Sequence, residues 1–417
     1  MNRRTFLGGL GGAALAYNEF LANARAQGTS AAPNLKIREI RAVRLRDGFN
    51  IRFVRVYTDQ GLTGTGETMD TRGEEYIINN DMSPSLVGRD PLDIEGILYD
   101  LWSRSVFARG LGGPYLSAIS GVEMALWDLA GKALGVPVYR LLGGRVRQRV
   151  PIYLHAVDAA DARGLVAATK VKGLKIGIDY RPEPGQFGGP GHFDSTLKKG
   201  IEPEKSENMH LNNPQTDDIV KLVASVREAV GPDYALMLEC HTRYDVESAI
   251  QLCHLLEPYR LTWVEEPIPS DNVDAMAKIR SAVRVPIAAG ENIYTRYGFR
   301  PFLEKQALSI IQPDMSKTGG LLEGRKIASM AETYFVPVAP HGVASPLGTM
   351  AYAHVCLAMQ NLLILEFTHY LNESYQSLMD RVTLTDGYLV PTAKPGIGVS
   401  LNDDAVNERT ETGFRPL

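Results

Sequence analysis

The sequence predicts an α/β fold in which an eight-stranded barrel of the TIM type follows a smaller α+β domain. Three apolar stretches, residues 235–239, 262–266 and 287–291, each carry a glutamate at or near the end of a predicted strand. The glutamates at positions 239, 265 and 291 are spaced 26 residues apart, which fits one strand, one helix and two short loops. Strands and helices alternate from residue 150 onward, and a barrel of parallel strands collects their ends at one rim.

Composition limits the classes of protein that fit. A chain of 417 residues with 44% hydrophobic content is long enough for a large core, and a net charge of −4 gives no sign of nucleic-acid binding. Three cysteines, Cys240, Cys253 and Cys356, are too few and too scattered for a zinc site or a disulfide framework. We expect them to be free and buried.

The first 26 residues resemble a twin-arginine signal peptide. Arg3 and Arg4 precede an uncharged Gly/Ala-rich stretch that ends near Ala16, and Ala24 and Ala26 form a small-x-small cleavage site. The apolar stretch is too short to anchor the chain in a bilayer. The pattern predicts a periplasmic mature protein that begins near residue 27, whereas the alternative is an ordinary terminus with chance arginines.

Residues 35–149 are predicted to form the α+β domain. Residues 37–43 and 51–57 alternate apolar and polar side chains, which is typical of strands with one buried face. Residues 117–134 have an apolar face at helical spacing and end before a glycine. Strands followed by helices indicate a domain that is separate from the barrel.

The barrel is predicted over residues 150–372. Its eight strands are placed at residues 150–155, 174–178, 235–239, 262–266, 287–291, 310–314, 336–341 and 362–366. Residues 180–215 are rich in Gly and Pro and are expected to cover the mouth of the barrel. In the last segment, residues 373–417, strand-like runs at 382–384 and 388–390 are expected to return to the first domain.

The repeated glutamates predict a metal site. Three carboxylates at one rim offer the hard oxygen ligands that Mg²⁺ prefers. Each glutamate taken alone is better explained as a helix cap. With 48 acidic residues in 417, three chosen strand ends would all be acidic by chance about once in 700. The inference therefore depends on the repeat.

Later strand ends add candidate acids and bases. His241 follows Glu239 by two residues, which would place both side chains on one face of an extended strand. Asp314 and His341 end the sixth and seventh predicted strands, and a carboxylate beside an imidazole orients the ring and raises its basicity. Glu366 ends the eighth strand. Together these residues predict an acid–base site at the rim.

Several motifs resemble the enolase superfamily, in its mandelate racemase branch, and within it the galactonate dehydratase-like acid-sugar dehydratases. The resemblance covers nearly everything after Leu35. The motifs, in order, are Ala125-Leu126-Trp127-Asp128-Leu129-Ala130-Gly131-Lys132, Gly135-Val136-Pro137-Val138-Tyr139, Val264-Glu265-Glu266-Pro267, Ala289-Gly290-Glu291, Gln312-Pro313-Asp314-Met315-Ser316 and Gly319-Gly320.

The resemblance implies a (β/α)7β barrel, a capping role for the first domain and a set of residue roles. Glu239, Glu265 and Glu291 would bind Mg²⁺, and Asp314 and His341 would form the catalytic base. Glu366 would hydrogen-bond the substrate carboxylate, and His241 would protonate the leaving hydroxyl. The partner implied is a small-molecule sugar acid, with no nucleic acid and no membrane after signal cleavage. We also expect a homo-oligomer.

One departure from the family pattern favours dehydration. Racemases of this branch resemble one another in a Lys-x-Lys pair on the second strand, whereas the matching positions here are Lys175 and Gly177. Racemisation needs bases on both faces of the α-carbon, and the second lysine is missing. The predicted reaction is therefore Mg²⁺-dependent dehydration of a sugar acid to a 2-keto-3-deoxy acid, and Asp179 has no assigned role. A racemase or epimerase, a cycloisomerase and a non-catalytic periplasmic sugar-acid binding protein remain as alternatives.

Overall fold

The computed structural model describes residues 33–46, 51–69, 73–104, 112–178 and 213–417. The predicted signal peptide, Asp179 and all but the last three residues of the 180–215 stretch lie outside these ranges. Among the described residues, no helix has the length and apolar character needed to cross a membrane. The three cysteines are free and buried, as predicted.

The N-terminal domain is a three-stranded antiparallel sheet packed against a long helix. The strands are β1 (Ile37–Arg44), β2 (Ile51–Thr58) and β3 (Thr63–Met69), and the sequence had indicated only the first two as strands. Three short helical segments follow, Glu74–Tyr76, the π-helical Ile77–Met82 and Ser83–Leu86, and then α1 (Ile94–Arg104) and α2 (Pro114–Ala133). The helix α2 lies against β3 so closely that a Cβ atom on Gly66 would stand 2.5 Å from the carbonyl oxygen of Gly121. Glycine is therefore required at this crossing.

The barrel follows the predicted order of parallel strands. These are β4 (Val150–His155), β5 (Gly173–Gly177), β6 (Ala235–Glu239), β7 (Trp263–Glu265), β8 (Ile287–Ala289), β9 (Ile310–Ile311) and β10 (Leu365–Glu366). Surrounding them are α3 (Ala159–Thr169), α4 (Asn213–Val230), α5 (Val246–Leu256), α6 (Val273–Ala282), α7 (Thr295–Glu304), α8 (Leu321–Glu332) and α9 (Pro346–Ala358). Shorter helical turns are Val138–Leu141, Glu257–Tyr259 and Glu373–Gln376.

The seventh strand is much shorter than predicted. Within residues 336–341 only Val338 makes parallel bridges, one to Ile311 and one to Leu362. Pro337 and Pro340 have no backbone N–H to donate, so a regular ladder cannot form there. Val338 still donates to Asn361 O and accepts from Leu363 N, which links this segment to the chain leading into β10. Because β10 pairs with β4, the ring of strands closes.

The C-terminal segment differs from the prediction in its pairing. Residues 382–384 are not a strand, and β11 (Tyr388–Leu389) pairs antiparallel with β4 of the barrel rather than with the first domain. β4 offers a free backbone edge at its beginning, where it has no parallel partner on that side. Later residues do return to the first domain. Ile397 N donates to Asp128, and Arg46 N donates to Arg409 O at the end of α10 (Asp403–Arg409).

Buried side chains fill the barrel and join it to the first domain. The interior cluster contains Tyr153 and Trp263, whose rings meet edge to face at 5.6 Å beneath the rim. Glu123 of α2 reaches across to the barrel, where Oε2 accepts from Leu321 N at 2.7 Å and Oε1 accepts from Leu322 N at 2.9 Å. A carboxylate at the beginning of α8 satisfies amides that have no partner within that helix. The first domain is thereby fixed over one side of the barrel.

Candidate active site

Lys175 lies at the centre of the acidic residues on the rim. Its Nζ atom is 2.7 Å from Glu265 Oε1, 2.9 Å from Glu366 Oε1 and 3.1 Å from Glu239 Oε2. The side chain is only 2% exposed. Burial alone would lower the pKa of Lys175, but the carboxylates of Glu265, Glu366 and Glu239 outweigh it and hold the pKa well above its usual value. A buried ammonium group therefore balances part of the charge of three carboxylates.

Glu239 and Glu265 sit side by side at the ends of adjacent strands. They are register partners in the β6–β7 pair, and both are buried. Glu239 Oε1 accepts from the backbone N of His241 at 2.8 Å, and Glu265 Oε2 accepts from Trp263 Nε1 at 2.8 Å. Burial, followed by the charge of Glu265, raises the pKa of Glu239. Two buried carboxylates this close need positive charge, from Lys175 or from a metal ion.

Glu291 is directed toward the other side of the rim. It follows Gly290, where a Cβ atom would stand 2.6 Å from the backbone of Gln312, so only glycine fits that position. Glu291 Oε2 lies 2.6 Å from Nε2 of His341. Burial would raise the pKa of Glu291, but the charge and hydrogen bond of His341 outweigh it and hold the pKa far below its usual value.

The three glutamates predicted to bind Mg²⁺ thus lie at three neighbouring strand ends, but their side chains do not meet at one point. Among the described residues, no group of three or more His, Cys, Asp or Glu side chains has the arrangement of a metal cage. Lys175 contacts Glu239 and Glu265, and His341 contacts Glu291. The donor set itself fits Mg²⁺, because all three side chains offer carboxylate oxygens and two are buried.

Asp314 and His341 form a buried imidazole–carboxylate pair. His341 Nδ1 lies 2.6 Å from Asp314 Oδ2, and Asp314 Oδ1 accepts from Ser316 N, Ser316 Oγ and the hydroxyl of Tyr352 at 2.6–2.8 Å. Burial opposes the charge on His341, yet Glu291 and Glu366 together with Asp314 raise its pKa well above the usual value. The ring orientation leaves Nε2 facing Glu291 and, at 3.9 Å, Glu366 Oε2.

Glu366 accepts hydrogen bonds on both oxygens. Oε1 contacts His155 Nε2 and Lys175 Nζ, and Oε2 accepts from Gly342 N at 2.8 Å. Burial would raise the pKa of Glu366, but Lys175, followed by His341 and His155, holds it well below the usual value. In this arrangement Glu366 is an ionised acceptor, whereas donation to a substrate carboxylate would require its protonated form.

His241 lies beside Glu239, but not for the reason that the sequence suggested. β6 ends at Glu239, and His241 and Thr242 adopt left-handed backbone conformations with φ of +45° and +59°. The alternation of an extended strand therefore does not extend to His241. A turn places it there, held by the bond from its backbone N to Glu239 and by the bond from Thr242 N to Glu266 O at 2.8 Å. The residue is half-buried.

Two residues of the rim were not assigned a role from the sequence. Lys175 matched the first lysine of the family pattern, and a lysine within the apolar run Leu174-Lys175-Ile176 is the signal that could have identified it. His155, the last residue of β4, is buried against Glu366. Gly177 pairs with Glu239 in the β5–β6 register and contributes no side chain.

Known proteins of the same architecture match this chain over most of its length. Residues 41–143 match the mandelate racemase / muconate lactonizing enzyme N-terminal domain, and residues 157–405 match the enolase C-terminal domain-like family. The D-xylonate dehydratase of Haloferax volcanii is 39% identical over 363 residues, which are 86% of this chain and 85% of that protein. A D-galactonate dehydratase of Pectobacterium atrosepticum is 35% identical over 390 residues, 90% of this chain and 95% of that protein.

A solved structure gives the same result. The crystal structure of a mandelate racemase/muconate lactonizing enzyme-like protein from Rubrobacter xylanophilus superposes with a TM-score of 0.79 at 34% identity, and the match covers 92% of this chain and 99% of that one. Both the two-domain arrangement and the sequence of each domain agree. The chain therefore belongs to the mandelate racemase / muconate lactonizing enzyme family of the enolase superfamily.

Proposed function

We propose that this protein is a Mg²⁺-dependent dehydratase of sugar acids. The observation that carries the proposal is the buried His341–Asp314 pair, whose Nε2 atom faces the rim between Glu291 and Glu366. A carboxylate on Nδ1 fixes the ring and leaves Nε2 as the atom that exchanges protons. The D-xylonate and D-galactonate dehydratases to which the chain is similar support the reaction class.

Glu239, Glu265 and Glu291 would hold the Mg²⁺ ion. When bound, the ion would supply positive charge where a second negative charge develops on the substrate carboxylate. Lys175, already held between Glu239 and Glu265, supplies further positive charge to the same region. Because these groups are buried, their interactions are stronger than they would be in water.

His341 is the proposed base, and it acts as the neutral imidazole. A Mg²⁺ ion held by Glu291 would offset carboxylate charge that raises the pKa of His341. Its Nε2 atom takes the proton from the carbon next to the substrate carboxylate, while Asp314 holds the Nδ1–H and stabilises the imidazolium. The electron pair of that C–H bond forms a C=C bond between the α-carbon and the carboxyl carbon, and the carboxylate oxygens take up the second negative charge. Those electrons then form a C=C bond between the α-carbon and the β-carbon as the C–O bond breaks, and a proton from His241 lets the β-hydroxyl leave as water. The product of this step is an enol. The enol then becomes a 2-keto-3-deoxy acid.

A screen tests this proposal. Purified protein with Mg²⁺ is incubated with a library of sugar acids that includes D-xylonate and D-galactonate, and 2-keto acid formation is measured together with product mass. We expect at least one product that is lighter than its substrate by one water. A product of unchanged mass would instead indicate a racemase, epimerase or cycloisomerase. Tight sugar-acid binding without turnover or Mg²⁺ binding would indicate a binding protein.

Export and assembly are further parts of the proposal. The Arg3-Arg4 pattern and the Ala24-Arg25-Ala26 site support export by the twin-arginine route to the periplasm, where the mature protein would begin near residue 27. N-terminal sequencing of protein from the native host tests it, and retention of Met1 would contradict it. A homo-oligomer is proposed as well, with a mass above 45.7 kDa expected from sedimentation equilibrium.

A further inference from the structure

The rim carries a second buried pair of imidazole and carboxylate, His155 with Glu366. His155 Nε2 is hydrogen-bonded to Glu366 Oε1, and the two residues are 8% and 0% exposed. They end the neighbouring strands β4 and β10, in which Tyr153 is the register partner of Glu366. His155 comes two residues after Tyr153, so both rings face the barrel interior, and their planes are within 10° of parallel.

Glu366 connects this pair to the segment that carries the proposed base. While Oε1 contacts His155 and Lys175, Oε2 accepts from the backbone N of Gly342, the residue that follows His341. The chain at Gly342 is packed so tightly against Glu366 that a Cβ atom there would stand 2.5 Å from Glu366 O. Because Oε2 is bonded to Gly342 N, a shift of the carboxylate would break this bond or shift the backbone next to His341.

The two hydrogen-bond donors to Oε1 of Glu366, Lys175 and His155, differ in how they constrain the carboxylate. Lys175 is shared among three carboxylates and is a compact charge on a flexible stem, which attracts Glu366 without setting its direction. The imidazole is planar and is fixed by the end of β4. Burial lowers the pKa of His155, although its bond to Glu366 opposes the change, so the ring is a neutral N–H donor.

We infer that His155 is a positioning residue for the reaction: its Nε2–H orients the Glu366 carboxylate, which in turn holds Gly342 N and keeps His341 at the reacting carbon. The inference rests on the proposed function in that His341 is taken as the base. Nothing in this role requires His155 to touch the substrate, so its loss should reduce the rate of proton abstraction more than it weakens substrate binding.

Three substitutions at this position separate orientation from bulk. In His155→Gln the amide nitrogen reaches about as far as Nε2 of the ring, whereas in His155→Asn it reaches only as far as Nδ1, and His155→Leu fills the space without a donor. We expect kcat to fall about 10- to 100-fold in the Leu and Asn variants, with KM and Mg²⁺ affinity within about threefold of wild type. The Gln variant should stay within about threefold of the wild-type kcat.

The same variants are assayed for exchange of the substrate α-proton in deuterium oxide, with near-UV circular dichroism as the check on folding. Wild-type protein that exchanges the proton but releases no water would contradict the dehydration proposal, and the exchange rates of the three variants would then decide the role of His155. A Leu variant with wild-type kcat and exchange would overturn the inference. So would a folded Gln variant as impaired as Leu, or loss of the native fold in both Leu and Asn.

Discussion

The two histidines of the proposed mechanism lie in segments that are held in different ways. His341 is buried, each of its ring nitrogens contacts a carboxylate, and the segment that follows it is fixed through Gly342 N and Ser345 N by buried glutamates. His241 is half-buried in a left-handed turn, where its backbone N donates to Glu239. A base that must meet one C–H bond needs a ring that is held in position, and the carboxylates of Asp314 and Glu291 hold the His341 ring.

The largest effect is expected from replacing His341, the histidine that two carboxylates hold in place. His341→Asn removes the atom that accepts the α-proton, so dehydration and solvent deuterium exchange at the α-carbon should fall together by roughly 10² to 10⁴. Both rates are measured on one substrate by mass spectrometry and NMR, with Mg²⁺ binding as the control for an intact site. If the α-proton of the substrate still exchanges at the wild-type rate in His341→Asn, another residue is the base.

Two of the proposed Mg²⁺ ligands lie next to the two histidines: Glu239 adjoins His241, and Glu291 adjoins His341. Glu239→Gln and Glu291→Gln should each weaken Mg²⁺ binding, measured by titration calorimetry, and lower turnover by about 10² or more at a fixed Mg²⁺ concentration. The exposed Glu247 supplies a matched control, since Glu247→Gln should change neither quantity. Near-normal turnover of Glu291→Gln without added Mg²⁺ would contradict the assignment of these ligands.

His241→Asn should separate the two steps. If His241 only assists departure of the β-hydroxyl, dehydration should fall about 10² while the α-proton still exchanges with solvent, since His341 and Asp314 remain in place. The ratio of exchange to dehydration is therefore the quantity to measure. Normal dehydration in this variant would reduce His241 to a positioning role.

Features that depend on neighbouring residues in the chain were predictable from the sequence. Each glutamate of the repeat follows an apolar run that forms a strand, and the interval between them reflects one strand and one helix. The fold class follows from the same local periodicity. The prediction was less accurate for the seventh strand. Its apolar run is interrupted by Pro337 and Pro340, and only Val338 forms bridges to the neighbouring segments.

Interactions between distant parts of the chain were not predictable. The two carboxylates bound to Lys175 in neighbouring strands are 64 and 90 residues away from it, and Glu67 reaches Ser345 across 278 residues. The residues next to Lys175 in the sequence do not show that its charge is balanced by three carboxylates, because a lysine without such partners could interrupt an apolar run in the same way. The turn at His241 also required the structure, because strand periodicity places that residue without specifying the left-handed backbone.

The smallest effect on activity is expected at Glu67, through which the first domain contacts the segment that follows His341. Glu67 of β3 is fully buried, and it accepts from Ser345 N at 2.8 Å and contacts Ser345 Oγ at the beginning of α9. Burial raises the pKa of Glu67 from 4.5 to about 7. Because the folded protein binds this proton more tightly than the unfolded chain does, the stabilising contribution is complete below pH 4.5 and is lost as the pH rises through about 7.

Replacing this glutamate should therefore flatten the pH dependence of stability while leaving the contact to Ser345 in place. Glu67→Gln keeps an oxygen acceptor for Ser345 N and cannot ionise, so between pH 5 and pH 8 it should gain about 2.5 kcal/mol of unfolding free energy relative to wild type. Urea denaturation at several pH values measures this difference, and turnover at pH 7 should change little, because His341 keeps its place. Glu247→Gln, on the exposed face of α5, should follow the wild-type curve throughout. Parallel curves for Glu67→Gln and wild type would mean that Glu67 does not titrate in this range.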